Sequence, residues 1–122
     1  MYEIKVKGEF SSAHMLRNYR GECENLHGHN WKVEVIVSGE VLDRIGLVID
    51  FRILRSKLNI VLKSLDHKNL NLIPFFKNRN PSSENIAFFI FKKLEKLLKN
   101  YPIRIQKVIV WENENQCACY YE

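Results

Sequence analysis

Apolar and polar positions alternate from the first residues. Tyr2, Ile4, Val6 and Phe10 are apolar and Glu3, Lys5, Lys7 and Glu9 are charged, the period of a half-buried strand. Ser11-Ser12-Ala13-His14 continues it, with His14 on the parity of the apolar side. Residues 15 to 26 lack periodicity and read as a loop. A second strand is predicted over about 29 to 38, with Trp31, Val33, Val35 and Val37 on one side. Asp50 has the chemistry of a helix cap. After it, Phe51, Leu54, Leu58, Val61, Leu62 and Leu65 recur at helical spacing, and this helix should stop near Asp66-His67. Residues 66 to 81 are polar and asparagine-rich, with Pro74 and Pro81 as breakers. Ser82 is positioned to cap a second helix, whose apolar face is Ile86, Phe89, Ile90, Leu94, Leu97, Leu98 and Tyr101; Pro102 closes it. Residues 103 to 111 are β-rich, Asn113-Glu114-Asn115 makes a turn, and Cys117 to Tyr121 forms a last strand. The predicted order is β-β-α-α-β-β, an α+β fold with a four-stranded antiparallel sheet and both helices on one face.

Composition narrows the class. A chain of 122 residues, 46% apolar, is expected to be one domain, 1–122. No apolar run approaches the ~20 residues that span a bilayer, and the N-terminus lacks a signal-peptide core, so the expected compartment is cytoplasmic, with no membrane partner. Three cysteines are an odd number and imply no complete disulfide framework. The net charge of +5 comes from lysines spread along the chain. It suits a solvated basic surface or a polyanionic substrate better than nucleic acid, for which no dense Lys/Arg stripe or recognition helix is present.

Candidate chemistry concentrates in Cys23-Glu24-Asn25-Leu26-His27-Gly28-His29. His27 and His29, two apart at the edge of the second strand, point to one side. If the first two strands pair as a hairpin, His14 comes near both. Three histidines with an open fourth position describe a catalytic zinc site, whereas structural zinc is usually closed by four protein ligands. Cys23 is a small loop residue or, beside a cation, a base. Asp66-His67 is a helix-end pair or a proton relay. Glu112 ends the third strand as a carboxylate before a turn. Ser82-Ser83-Glu84 is accounted for by capping and the helix dipole alone. The alternation of Cys117 and Cys119 with Ala118 and Tyr120 reads as strand packing.

Six stretches in order resemble the 6-pyruvoyl-tetrahydropterin synthase and 6-carboxytetrahydropterin synthase family over essentially the whole chain. They are Phe10 to His14 (FSSAH), Cys23 to Asn30 (CxxxHGHN), Val48 to Phe51 (VIDF), Leu65 to Asn71 (LDHKNLN), Asn80 to Asn85 (NPSSEN) and Trp111 to Asn113 (WEN). The resemblance implies a tunnelling fold in which three subunits join sheets into a barrel and two trimers stack as a homohexamer. It implies that His14, His27 and His29 hold Zn²⁺, that 7,8-dihydroneopterin triphosphate is the substrate, and that Cys23 accepts a proton. It also implies that Asp66 and His67 relay protons, that Glu112 anchors the pterin ring and is counted with the relay, and that Ser83 and Glu84 help fix the ring. The gap between Cys23 and His27 resembles the 6-carboxytetrahydropterin synthases of queuosine and other deazapurine pathways, which release acetaldehyde and triphosphate. Other relatives form 6-pyruvoyl-tetrahydropterin, or cut the side chain to 6-hydroxymethyl-dihydropterin with a glutamate at the spacing of Glu24. A non-catalytic pterin- or purine-binding protein is the alternative of another class; Cys23, Asp66 and His67 together argue against it.

Overall fold

The computed structural model describes residues 1–122. Strands β1 (Tyr2–His14) and β2 (His27–Gly39) form a long antiparallel hairpin whose register sets His14 opposite His27 and Ser12 opposite His29. Helix α1 (Phe51–Lys63) starts where Asp50 accepts from the Arg52 N–H at 2.8 Å. Helix α2 (Ser83–Leu97) starts where Ser82 Oγ accepts from the Asn85 N–H at 3.2 Å. Both caps satisfy N–H groups that a first helical turn leaves unpaired. Strands β4 (Arg104–Asn113) and β5 (Gln116–Tyr120) close the chain, β4 pairing antiparallel with β2.

The polar, asparagine-rich segment 66–81 holds structure for which the sequence predicts no element. It contains a strand, β3 (Lys68–Asn69), parallel to β1 at Ser12 and Ala13, and two 3₁₀ turns, Leu70–Leu72 and Pro74–Phe76. The sheet therefore has five strands, in the order β3-β1-β2-β4-β5. A strand of two residues is too short to show a period, and its place is set by the two residues before it: Asp66 Oδ1 accepts from the Ser11 N–H at 2.8 Å, and the His67 main-chain N–H donates to the Ser11 carbonyl at 2.6 Å.

Both helices cover one face. Val6, Phe10, Trp31, Val33, Val35, Val37, Val108 and Val110 from the sheet meet Leu54, Leu58, Val61, Leu62, Ile86, Phe89, Ile90 and Leu94 in one buried cluster. Gly8 lets α1 approach β1, since a Cβ there would stand 2.7 Å from Leu62 Cδ1 and 3.3 Å from Leu58 Cδ2. Leu58 is fully buried. Leu58→Ala should therefore cost about 2–5 kcal/mol of unfolding free energy, measured by urea denaturation.

The other face mixes the charges Lys5, Lys7, Lys32 and Glu34 with Ile36, Ile109 and Trp111. Glu34 accepts from Trp111 Nε1 at 2.7 Å and stands 3.4 Å from Lys5 Nζ and 3.9 Å from Lys7 Nζ. The Trp111 hydrogen bond first, and the lysines after it, hold the Glu34 carboxyl below its ordinary range. A depressed carboxyl stabilises the fold above its unfolded value and loses that contribution as pH falls through its folded value. Glu34→Gln should thus lower the melting temperature at neutral pH, and the difference from wild type should close in acid below the ordinary carboxylate range.

Candidate metal centre

The three imidazoles stand where the β1–β2 hairpin opens into loop 15–26. The alternation that turns Phe10 and Trp31 into the core turns His14, His27 and His29 to the same side. Ring centroids are 4.7 Å apart for His14–His27, 5.3 Å for His14–His29 and 4.8 Å for His27–His29. The Trp31 ring meets His14 and His29 edge to face at 4.9 and 5.2 Å, and its Nε1 donates to the Ser12 carbonyl at 3.2 Å. Glu112 joins them from β4, where alternation gives it the side of the buried Val108 and Val110. One nitrogen from each histidine and one Glu112 oxygen lie within 4.8 Å of one another.

Hydrogen bonds fix which nitrogen two of the rings present. His14 Nδ1 lies 2.7 Å from the Pro81 carbonyl, and His27 Nδ1 lies 2.8 Å from the Asn25 carbonyl. A carbonyl only accepts, so each Nδ1 carries the hydrogen and leaves the Nε2 lone pair free, the arrangement metal-bound histidines commonly have. His14 Nε2 and His29 Nε2 are buried without a hydrogen-bond partner. Glu112 Oε1 is 2.8 Å from His29 Nε2 and 3.9 Å from His14 Nε2, so the first pair is close without the alignment of a hydrogen bond. Burial holds His29 below the ordinary imidazole value, and His14 and His27 act the same way, against the opposing pull of Glu112 and Glu24. Two orphaned nitrogens, two preset tautomers and a ring kept neutral fit a divalent cation, which needs neutral imidazoles.

The remaining candidates lie around this cluster. Cys23 is exposed in the loop and is not among the clustered ligand groups. Glu24 ties the loop shut: its Oε1 accepts from the Leu16 N–H at 3.0 Å, and its own N–H donates to the Leu16 carbonyl at 3.0 Å. Its charge is also felt at His29. Asp66 spends one oxygen on Ser11; the other is 3.5 Å from His67 Nε2. His67 adopts φ 53°, a left-handed conformation costly for a residue with a Cβ, and its side chain is 82% exposed. Ser83 opens α2, and Glu84 is exposed in its first turn. A cleft of about 1240 Å³ lined from β1, β2, α1 and β4 reaches His29 and Glu112 but none of Cys23, Asp66, His67, Ser83 or Glu84. Within one chain the structure thus gathers the histidines and Glu112 and leaves the other candidates apart. Sequence reasoning missed the Pro81 and Asn25 carbonyls, because a main-chain acceptor leaves no signature in residue type.

Comparison with known proteins identifies the family and the fold. The family model described as 6-pyruvoyl tetrahydropterin synthase matches residues 3–122. The dihydroneopterin monophosphate aldolase of Pyrococcus furiosus is 38% identical over 111 residues, covering 89% of this chain and 88% of its own. The putative 6-carboxy-5,6,7,8-tetrahydropterin synthase of Archaeoglobus fulgidus is 37% identical over 115 residues, covering 94% and 91%. The solved 6-pyruvoyl tetrahydropterin synthase of Caenorhabditis elegans superposes with a TM-score of 0.88 at 29% identity, over 99% of this chain and 95% of that one. The α+β architecture is the tunnelling fold of these enzymes, and the chain belongs to the 6-pyruvoyl tetrahydropterin synthase family.

Proposed function

We propose that the protein is a zinc-dependent 6-carboxy-5,6,7,8-tetrahydropterin synthase of the queuosine type. It converts 7,8-dihydroneopterin triphosphate and water to the carboxypterin, acetaldehyde and triphosphate. The observation that carries the reading is the convergence of His14, His27 and His29 with two buried Nε2 atoms left unpartnered. His14, His27 and His29 would hold the zinc, which would supply Lewis acidity to a side-chain oxygen of the substrate. Cys23, exposed and on a loop, accepts a proton from the substrate side chain. Asp66 and His67 pass a proton on the other side of the side chain; the 3.5 Å separation of Oδ2 and Nε2 supports the pair. Glu112 receives the ring nitrogens and amino group of the pterin, a role supported by its place at the rim of the cleft. Ser83 and Glu84 fix the ring from a neighbouring subunit, a role supported by their absence from the lining of this chain's own cleft.

That last role requires assembly. The sheet ends in β3 on one side and β5 on the other, and unpaired strand edges favour pairing with another copy. Sedimentation velocity should report a hexamer; a monomer at working concentration would contradict the shared site.

A second reading has its own support. Glu24 is close enough to influence His29, and the Pyrococcus relative is named an aldolase. In this reading Glu24 directs cleavage of the side chain to 6-hydroxymethyl-dihydropterin. Incubation of the zinc-loaded protein with 7,8-dihydroneopterin triphosphate, followed by mass analysis of the pterin, separates the two. The carboxypterin with triphosphate is expected; a hydroxymethyl or pyruvoyl product would move the assignment.

A further inference from the structure

β1 stops at His14, but the pairing along its β3-side edge continues. The Met15 N–H donates to Asn71 Oδ1 at 2.9 Å, and the Met15 carbonyl accepts from Asn71 Nδ2 at 2.9 Å. Two residues on, the Arg17 N–H donates to Asn80 Oδ1 at 2.8 Å, and the Arg17 carbonyl accepts from Asn80 Nδ2 at 3.0 Å. Each carboxamide supplies the donor and acceptor that a residue of a neighbouring strand would supply, and alternate residues of an extended chain face the same edge. Between them, Leu16 exchanges both main-chain groups with Glu24. Residues 15–17 lie beyond the end of β1 and are held by strand-like hydrogen bonds, from two asparagine side chains on one edge and from the returning limb of the loop on the other.

Asn80 is itself fixed. Its carbonyl accepts from Asn85 Nδ2 on α2 at 2.8 Å. It precedes proline, which confines its backbone to extended conformations. The carbonyl that follows, that of Pro81, is the one bonded to His14 Nδ1. One short segment thus grips the loop with a carboxamide and orients the first histidine with a carbonyl.

We propose that Asn80, with Asn71 beside it, is a positioning residue for the metal centre. It docks residues 15–17 and the Pro81 carbonyl in a single register. That register keeps the His14 ring presenting Nε2 and ties down the loop that carries Cys23 and Glu24. The inference rests on the metal centre proposed above. Outer partners of metal-bound histidines typically change metal affinity by 10–100-fold when lost.

The test is titration of the metal-free full-length protein with cobalt(II) alone, followed by the visible bands of the bound ion. Asn80→Ala should weaken cobalt binding by about tenfold or more and alter the bands, because the ring is no longer held in one orientation. Asn80→Asp keeps the acceptor for the Arg17 N–H but loses the Nδ2 donor, and should show the same change to a smaller degree. Ser38→Ala removes the Gln106–Ser38 hydrogen bond at the far end of β2 and should leave the bands and affinity unchanged, which separates positioning from general loss of stability. Wild-type affinity and bands in Asn80→Ala would overturn the proposal; if that variant does not fold, Asn80→Asp decides by the same readout. A wild-type protein that takes up no cobalt would instead fault the metal centre itself.

Discussion

Replacing His14, His27 or His29 singly with alanine is expected to lower zinc affinity by at least about a hundredfold and to abolish turnover. Loss of a carbonyl partner outside the ligand set already costs 10–100-fold, so loss of a ligand itself should cost more. The three rings share one small volume, and the Nε2 atoms of His14 and His29 are buried with no hydrogen bond to fall back on. Removing one ring leaves the others aimed at an ion they hold with two nitrogens. The effect has a readout independent of catalysis. A ligand at a hundredfold excess over its dissociation constant stabilises the folded state by about 2.7 kcal/mol. Wild-type protein should melt at a higher temperature with zinc than without, and each alanine variant should lose that shift. A variant that keeps both the zinc-induced shift and activity would remove its histidine from the ligand set.

The second large effect separates Cys23 from Glu24, which are adjacent in the chain but differently engaged. Cys23→Ala should leave zinc affinity unchanged and reduce triphosphate release by about 10²–10⁴-fold, the usual contribution of a positioned proton acceptor. Glu24 needs a gentler change, because its Oε1 accepts from the Leu16 N–H. Glu24→Gln keeps an acceptor there and removes the charge that acts on His29. If carboxypterin formation is the native reaction, Glu24→Gln should make the same product as wild type. If Glu24 drives side-chain cleavage, a hydroxymethyl product of the wild type should disappear in Glu24→Gln and persist in Cys23→Ala. Unchanged turnover in Cys23→Ala would exclude the thiol as the proton acceptor.

Much of this was legible in the sequence, for a physical reason. The parity that buries Phe10 and Trp31 also fixes the side of the sheet on which His14, His27 and His29 lie, so alternation alone predicted their convergence once the strands paired. Asp50 and Ser82 announced their helices because a capping oxygen is a property of the residue. Other parts depend on partners that residue type does not name. β3 was invisible because two residues carry no period, and its place follows from Asp66 and His67 binding the Ser11 main chain. The Glu112 carboxylate lies among the imidazoles because it shares the parity of Val108 and Val110 on a strand paired with β2, and that pairing is not written in its sequence neighbours. Asn71 and Asn80 were visible as members of motifs, but a carboxamide that stands in for a strand can be recognised only once the main chain it grips is in view.

The convergence of three imidazoles on one ion is tested most directly by X-ray absorption at the zinc edge of the loaded protein. Three nitrogen scatterers at about 2.0–2.1 Å, with the characteristic outer signals of imidazole and no sulfur, are predicted. A sulfur shell near about 2.3 Å, or fewer than three imidazoles, would contradict it.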